Sequence, residues 1–271
     1  MRDMPTRLDE ILAHTSNEVK ERKAAADLSA LEKKAMAHAP RGFAAQLRKV
    51  SQSHPAIISE IKKASPSRGL IRGDFDPPAL AKSFEASGAA ALSILTDEKF
   101  FQGSLGDLEA ASQAVRIPCL RKDFMVDAFQ MLEARAAGAD AILLIVAAHT
   151  DERLEDLRDE AQRLELDVLC EIHSAEELER ANALGFDVIG VNSRNLRTFE
   201  MHPELFGLVD SIPAKTVKVA ESGLRNAEEI VRLRDAGYDA FLMGETLMRQ
   251  PDPGAALAQL LEREYTDRAQ R

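Results

Sequence analysis

The chain of 271 residues contains two cysteines, no tryptophan and only 5% aromatic residues. Cys119 and Cys170 each lie within an apolar run, so we expect buried thiols rather than a disulfide framework. No run of about 18 apolar residues occurs, and the N-terminal MRDMPTRLDE has no signal-like apolar segment. These absences argue against a disulfide-rich secreted domain and a membrane span, so the expected location is the cytoplasm.

Basic residues are outnumbered: 35 lysines and arginines stand against 45 aspartates and glutamates, giving a net charge of −10. Such a chain is poorly suited to nucleic acid or an acidic membrane as its main partner. A small anionic substrate remains possible, because a local pocket can be basic within an acidic protein. We therefore expect no nucleic-acid or membrane partner. Separately, we expect the protein to be a monomer.

Motifs for metals and dinucleotides are missing as well. His149, His173 and His202 fall near strand ends or in loops without metal-ligand spacing, and neither H-E-x-x-H nor C-x-x-C occurs. No G-x-G-x-x-G follows the first apolar run. We expect no metal and no cofactor, so the chemistry should be acid–base.

A repeated pattern organises the chain: a helical run, a glycine, and then a short apolar strand. It occurs in ASGAAALSIL (86–95), AAGADAILLI (136–145), ALGFDVIGV (183–191) and DAGYDAFLMG (235–244). The repeat glycines are Gly88, Gly138, Gly185 and Gly237, spaced by 50, 47 and 52 residues. A glycine just past a helix supplies the left-handed cap, and each spacing has room for two strand–helix units.

Intervening apolar runs complete a set of eight predicted strands, beginning near residues 55, 90, 117, 140, 167, 187, 216 and 239. Apolar strands that alternate with helices indicate a parallel sheet buried on both faces. The predicted fold is of the α/β class, a (β/α)8 TIM barrel. A doubly wound sheet is the weaker alternative. Residues 1–50 are helical in character and form an N-terminal helical extension packed on the barrel of residues 51–271, as one domain overall.

Five of the predicted strands end in polar residues whose side chains should all point to the same mouth of the barrel. These residues are Glu60 and Lys62, Lys122, Glu171, Asn192 with the following Arg194, and Glu221. In a TIM barrel the chemistry gathers at the C-terminal ends of the strands. The alternative is that the lysines are solvated and the carboxylates only pair with them. The shared phase favours a functional site in which the groups shift one another's pKa values.

Two further signals concern the substrate. Gly223 and Gly244 follow the seventh and eighth strands and lead towards helices, where backbone N–H groups favour a phosphate. Phe100, Phe101 and Phe124 follow the second and third strands. They are either ordinary core residues or the lining of a pocket for a flat apolar ligand.

With these residues in place, the chain resembles the indole-3-glycerol-phosphate synthase family of tryptophan biosynthesis. The resemblance extends from about residue 5 to 265, and EIKKASPSRG (60–69) and IGVNSRNL (189–196) are its most specific segments. LTDEKFFQGSLGDL (95–108), LRKDFMVD (120–127), AESG (220–223) and LMGETLMR (242–249) agree with it. It implies conversion of 1-(2-carboxyphenylamino)-1-deoxyribulose 5-phosphate to indole-3-glycerol phosphate, CO2 and water.

The resemblance also implies roles for individual residues. Lys122 would be the general acid of ring closure, Glu171 the base of dehydration, Lys62 the ligand of the substrate carboxylate, and Glu60 the residue that holds the lysines. Further substrate contacts would come from Asn192, Arg194, Glu221, Ser222, Phe101 and Phe124. The phosphate would be bound by Ser67, Gly223, Gly244 and Glu245. The SPSRG loop would close over the substrate, and Lys63 would be an outer-face charge.

Two other functions remain open on the sequence. One is a different phosphosugar barrel enzyme, either phosphoribosylanthranilate isomerase or a Schiff-base aldolase. The isomerase would have a cysteine at the end of the first strand, where this chain has Glu60 and Lys62. The other is a barrel that only binds a phosphorylated ligand. The complete set of Lys62, Lys122 and Glu171 argues against it.

Overall fold

Eight parallel strands form a closed barrel in the computed structural model of the protein, which describes residues 6–195 and 200–269. In chain order, the strands of the barrel and of a short hairpin are β1 (Ala56–Ile61), β2 (Ala64–Ser65), β3 (Gly69–Leu70), β4 (Ala91–Leu95), β5 (Cys119–Lys122), β6 (Ala141–Ile145), β7 (Asp167–Ile172), β8 (Val188–Asn192), β9 (Val217–Glu221) and β10 (Ala240–Met243). Strands β2 and β3 pair only with each other, as an antiparallel hairpin that follows β1.

The ring closes through β1, which pairs on one side with β10 and on the other with β4. Ala56 lies opposite Ala240, and Ile58 lies opposite Ala91. The predicted TIM barrel is thereby confirmed and the doubly wound sheet is excluded. Each barrel strand begins within two residues of its predicted start.

Helices surround the strands and also precede them. They are α1 (Arg7–Ala25), α2 (Leu28–Ala37), α3 (Phe43–Ser51), α4 (Pro77–Ala86), α5 (Glu98–Phe101), α6 (Leu105–Ala114), α7 (Phe129–Ala136), α8 (Asp151–Arg163), α9 (Ala175–Leu184), α10 (Ala227–Asp235), α11 (Glu245–Met248) and α12 (Pro253–Ala269). After β8 the chain forms the 3-10 helix Pro203–Ser211 instead of an α-helix. Gly207 lies in the middle of that segment and lowers its propensity for the α-helix.

The four repeat glycines all have a positive φ, between 72° and 107°. This backbone conformation is left-handed, and residues with a Cβ resist it. The glycine caps that the repeat predicts are therefore present, and each lets the chain leave a helix and turn directly into the next strand.

Two apolar layers form the core, one inside the barrel and one between the strands and their helices. The inner layer uses every second residue of a strand, for example Val217 and Val219 in β9. Because side chains alternate across a strand, the next residue in this phase is Glu221, at the C-terminal end. The same alternation directs the other polar strand-end residues to one mouth of the barrel.

The N-terminal helices contact the barrel at two levels. Phe43 and Leu47 of α3 are fully buried and belong to the inner apolar layer, and they close the barrel at the N-terminal ends of its strands. In the second contact, Arg22 of α1 donates two hydrogen bonds to the carboxylate of Glu133 in α7, at 2.8 Å and 3.1 Å.

Both cysteines are buried and free, as the sequence predicts. Burial raises the pKa of Cys119 to about 12, so its thiol stays protonated. Within residues 6–195 and 200–269, no helix combines the length and the apolarity that a bilayer crossing requires.

Candidate active site

A cavity of about 500 Å³ opens at the C-terminal mouth of the barrel. Every residue that the sequence assigns to the site lies on its wall. These are Glu60, Lys62, Ser67, Phe101, Lys122, Phe124, Glu171, Asn192, Arg194, Glu221, Ser222, Gly223, Gly244 and Glu245. The strand-end residues among them, Glu60, Lys62, Lys122, Glu171, Asn192 and Glu221, thus share one mouth, as the alternation along the strands predicts, while the roles of all these residues stay predictions. Leu196, the last residue of the IGVNSRNL segment, lies outside the described residues.

Lys122 lies at the centre of the charged groups on the cavity floor. Its Nζ donates a hydrogen bond to Oε2 of Glu171 at 3.1 Å, and Oε2 of Glu221 lies 4.0 Å from the same nitrogen. Both carboxylates are almost completely buried. One ammonium group thus faces two carboxylates in a region of low dielectric, where electrostatic interactions are strong.

Burial and these contacts shift the pKa of each of the three groups away from its usual value. Burial alone would lower the pKa of Lys122, but Glu171, Glu221 and Glu60 together raise it, so the ammonium form persists at neutral pH. Burial alone would raise the pKa of Glu171, but Lys122 and His173 hold it below its usual range. Burial and the charge of Glu171 raise the pKa of Glu221 well above its usual range. The floor thus combines a protonated amine, an ionised carboxylate and a carboxyl group that resists ionisation.

Glycine leaves the space that the Glu221 carboxylate occupies. A Cβ built on Gly190 of β8 would overlap Oε1 of Glu221. That oxygen is buried and has no hydrogen-bond partner among residues 6–195 and 200–269. The φ of Gly190 is not in the left-handed region, so its backbone conformation does not require glycine. The space that the Glu221 carboxylate occupies does require it.

Lys62 and Glu60 form an ion pair on the wall that β1 contributes. Gly244, at the end of β10, faces this pair, and a Cβ at Gly244 would overlap the Glu60 carboxylate. Lys63 is absent from the cavity wall, in agreement with its predicted outward direction. Its backbone oxygen accepts hydrogen bonds from Ile71 and Arg72 and so anchors the hairpin.

The two predicted phosphate turns differ from each other. Gly244 directly precedes α11, as predicted. Gly223 does not adjoin a helix, because α10 begins at Ala227, where Asn226 caps the helix by accepting a hydrogen bond from the Glu229 N–H. Ser222 and Gly223 instead form a turn in which both residues have a positive φ, 67° and 73°.

The hairpin of β2 and β3 presents the SPSRG segment, and Ser67 and Arg68 at its tip line the cavity. Arg68 Nε lies 3.3 Å from Oε1 of Glu245, the first residue of α11. This exposed ion pair joins the hairpin tip after β1 to the start of α11 after β10, the neighbouring strand of the barrel. The predicted covering loop is a short hairpin at the cavity rim, and its closure over a substrate stays a prediction.

Aromatic rings line one side of the cavity. The rings of Phe101 and Phe124 have their centroids 6.3 Å apart and both face the cavity. Phe100, which the sequence grouped with them, turns away and packs edge-on against His14 of α1. Phe100 and Phe101 are adjacent residues of the helix α5, so the helical rotation of about 100° per residue points their rings to different sides.

Asn192 and Arg194 lie on the wall at the end of β8. Asn192 Oδ1 accepts a hydrogen bond from the Arg194 backbone N–H at 3.0 Å. The amide side chain therefore orders the segment that carries the arginine.

His173 was not assigned a role on the sequence, yet it contacts the cavity floor. Its Nε2 lies 3.2 Å from Oε1 of Glu171, and its Nδ1 lies 3.4 Å from Oε2 of Glu177. The signal for it was available, because His173 follows Glu171 by two residues. Metal-ligand spacing, the criterion applied to the histidines, could not detect an ion pair with a carboxylate.

Arg121 is a second residue whose place the sequence did not indicate. It is next to Lys122 but on the other face of β5, where it is fully buried. Its guanidinium contacts Asp123 at 2.8 Å and Glu133 at 3.3 Å. Because Asp123 directly follows β5 and Glu133 belongs to α7, this network ties the end of β5 to α7 and thereby fixes the origin of the Lys122 side chain.

The fold and the site together define a class: a (β/α)8-barrel enzyme whose acid–base groups lie beside a turn suited to a phosphate. A family model described as indole-3-glycerol phosphate synthase matches residues 8–260. The chain therefore belongs to the indole-3-glycerol phosphate synthase family, and it is a carboxy-lyase of tryptophan biosynthesis.

Individual relatives agree with this assignment. The indole-3-glycerol phosphate synthase of Koribacter versatilis (strain Ellin345) is 56% identical over 259 residues, which is 95% of this chain and 100% of that protein. The one from Dechloromonas aromatica (strain RCB) is 48% identical over 256 residues, 93% of this chain and 98% of that protein.

Solved structures of distant proteins share the barrel. A mandelate oxidase variant superimposes with a TM-score of 0.62 at 19% identity, covering 78% of this chain and 73% of its own. Thiamine phosphate pyrophosphorylase from Pyrococcus furiosus gives 0.59 at 16% identity, covering 80% of this chain and 98% of its own. At these identities the likeness concerns the fold alone.

Proposed function

We propose that the cavity at the C-terminal mouth closes the indole ring of 1-(2-carboxyphenylamino)-1-deoxyribulose 5-phosphate and releases indole-3-glycerol phosphate, CO2 and water. The observation that carries this proposal is the contact of the protonated Lys122 with the ionised Glu171 on the cavity floor. A two-stage reaction that first needs an acid and then a base requires such a pair.

Lys122 acts in the first stage, ring closure. As an aryl carbon attacks the ribulose carbonyl carbon, the carbonyl oxygen gains negative charge and takes a proton from the Lys122 ammonium group. The substrate carboxylate then leaves as CO2, and its bonding electrons restore the aromatic ring. A correctly placed proton donor of this kind contributes roughly 10²–10⁴ in rate.

Lys62 holds the substrate carboxylate until it departs, while Glu60 fixes the lysine through their ion pair. An ammonium group that contacts the carboxylate neutralises its charge and positions the aryl carbon for attack. Lys62 is only partly exposed at the wall, so its pairing with an anion is weakly screened.

Glu171 acts in the second stage, dehydration. After solvent has returned a proton to Lys122, the new hydroxyl group leaves as water with that proton, and the Glu171 carboxylate accepts the proton lost from the intermediate. Glu221 lies beside both groups, and its reluctance to ionise keeps a second full negative charge away from Glu171. Glu221 also contacts the substrate.

The phosphate binds at the turns of Gly223 and Gly244, with Ser67 and the backbone N–H of Glu245. Backbone N–H groups at such turns attract phosphate oxygens. The Arg68–Glu245 pair draws the hairpin tip over this end of the cavity. Binding energy from the phosphate, which does not react, helps to orient the carbons that do.

The rest of the substrate contacts residues on the remaining walls. Phe101 and Phe124 pack on the anthranilate ring through apolar contact. Asn192, Arg194 and Ser222 reach the ribulose hydroxyl groups and the carboxylate. These assignments follow the family resemblance and the position of each side chain on the cavity wall.

The direct test adds the carboxyphenylamino-deoxyribulose phosphate to the purified protein and follows indole fluorescence. Appearance of the indole signal together with one equivalent of CO2 supports the proposal. Unchanged substrate would overturn it. Borohydride treatment is a useful second measurement, because a trapped lysine adduct would indicate the Schiff-base aldolase instead.

We also propose that the protein acts as a monomer in the cytoplasm, as a single domain that includes its N-terminal helices. The buried free thiols suit a reducing compartment. Among the described residues, the exposed large apolar side chains are Leu28, Met36 and Leu70. Light scattering at micromolar concentration tests the monomer: a mass near 29.8 kDa is expected, and twice that value would contradict it.

A further inference from the structure

The two oxygens of Glu171 have different partners. Oε2 accepts the hydrogen bond from Lys122 inside the cavity, and Oε1 forms an ion pair with Nε2 of His173 at 3.2 Å, a charge contact without hydrogen-bond alignment. His173 does not line the cavity, and its side chain is only 10% exposed. The imidazole therefore approaches the carboxylate from outside the space that a substrate would fill.

The start of α9 holds His173 in place. Ser174 caps the helix by accepting a hydrogen bond from the Glu177 N–H at 3.2 Å, and the Glu177 carboxylate reaches back to the His173 N–H at 2.7 Å. These bonds resemble the reciprocal bonds of a capping box. The same carboxylate faces Nδ1 of the ring, so the backbone and the side chain of His173 are fixed by one residue.

Three carboxyl groups surround the imidazole. Glu171 belongs to β7, the strand that His173 directly follows, Glu177 belongs to α9, and Glu221 belongs to β9, near enough to interact with the charge of His173. Burial alone would lower the pKa of His173, but Glu171 and Glu177 raise it to about 9. At neutral pH the ring is then an imidazolium that bridges Glu171 and Glu177.

We propose that His173 is a positioning residue for Glu171: it holds Oε1 from outside the cavity and keeps Oε2 directed at Lys122 and the substrate. The inference rests on the proposed role of Glu171 as the base. It adds a charged partner that supports the base without touching the substrate.

Without the imidazolium, Glu171 would keep Lys122 as its cation and would remain next to Glu221. Its carboxylate would then be free to rotate, and its proton affinity would rise because one of two stabilising charges is gone. The base would be protonated over a wider range of acidic pH, and its orientation towards the substrate would be less restricted.

The test compares kcat and KM across pH 5 to 9 for the wild-type protein and for His173→Gln and His173→Ala. In both variants we expect kcat at its optimum to fall about 10- to 10²-fold, the effect of a misplaced catalytic group. We expect the acidic limb of the kcat profile to move to higher pH, while KM changes less than twofold.

A second variant gives the opposite pH signature. In Glu177→Gln the imidazole loses its outer carboxylate, so its pKa returns towards the ordinary value of about 6.5. Activity should approach that of the wild type at pH 5.5 and fall at pH 8, where the ring has become neutral. This variant keeps His173 itself, so it carries the test even if His173→Ala does not fold.

His149→Gln is the matched control, because His149 follows β6, the neighbouring strand, and its imidazole is also partly buried but has no described bond to a catalytic carboxylate. The inference is overturned if His173→Gln keeps the wild-type profile, or if His149→Gln shifts it equally.

Glu171→Gln separates this failure from that of the proposed function. If Glu171→Gln is inactive and His173→Gln is normal, only the positioning role fails. If Glu171→Gln is fully active, the proposed base is wrong.

Discussion

Lys122 and Glu171 are separated by 49 positions and by strand β6, yet Nζ of the lysine lies 3.1 Å from Oε2 of the glutamate. The contact exists because both residues end alternate strands of a closed barrel and point inward. Each group also determines the protonation state of the other, since the ammonium lowers the pKa of Glu171 and the carboxylate raises that of Lys122.

The first prediction concerns the three lysines near the mouth. Lys122→Ala should lower kcat and kcat/KM together by about 10²–10⁴, because its proton is needed only in the transition state. Lys62→Ala should raise KM and also slow the reaction, since Lys62 contacts the substrate carboxylate before and during the reaction. Steady-state indole fluorescence at fixed ionic strength measures both constants.

Lys63→Ala is the control for this series, and it should leave both constants nearly unchanged. A Lys63 variant as inactive as the Lys122 variant would contradict the assigned directions of the side chains. A fully active Lys122 variant would remove the proposed acid. Circular dichroism must accompany the kinetics, because removing one partner of a buried ion pair costs about 3–5 kcal/mol of stability.

The second prediction concerns Glu221 and pH. The native state raises the pKa of Glu221, so it binds more protons than the unfolded chain once the pH exceeds the unfolded value of about 4.3. This group's contribution to stability is therefore present at low pH and is lost as the pH rises. Glu221→Gln removes the titration, so its stability relative to the wild type should increase from pH 4 to pH 8.

Urea unfolding at a series of pH values measures this difference. The comparison is made with Glu155→Gln, a change at an exposed carboxylate of α8 that does not line the cavity. If the difference between Glu221→Gln and the wild type did not vary with pH, Glu221 would have an ordinary pKa in the native state.

The third prediction concerns the glycine opposite Glu221. Gly190→Ala should displace the Glu221 carboxylate, because the new Cβ would overlap its Oε1. Overpacking of this kind costs about 1–3 kcal/mol, and the displaced carboxylate should lower kcat more than it raises KM. Gly207→Ala is the matched control, because a Cβ there meets no atom within 4 Å. Equal effects of the two variants on kcat would contradict the prediction.

The fourth prediction tests the proposal that the N-terminal helices and the barrel are one domain. Phe43 is fully buried in the inner apolar layer, so Phe43→Ala should cost about 3–5 kcal/mol. Unfolding should remain a single transition, followed by fluorescence and circular dichroism together. Leu28→Ala, at a position 49% exposed, should have little effect. A separate early transition in the Phe43 variant would indicate an independent N-terminal unit.

Much of the fold was determined by local sequence. A left-handed turn after a helix favours glycine, and the apolar runs require burial on both faces, so the strand starts could be predicted to within two residues. The strict alternation of side chains along a strand then fixed which polar residues face the mouth. Glu60, Lys62 and Lys122 follow from this rule alone, as does the outward direction of Lys63.

Contacts between residues distant in the chain were decided only by the tertiary structure. No periodicity indicates that Gly190 makes room for Glu221, or that Phe100 packs on α1 instead of the cavity wall. These relations depend on the register between strands and on the direction of loops, which result from packing of the whole barrel. The sequence by itself determines the face of the sheet to which a side chain belongs, and the closed barrel decides which partner it meets there, because closure brings distant strand ends within hydrogen-bonding distance.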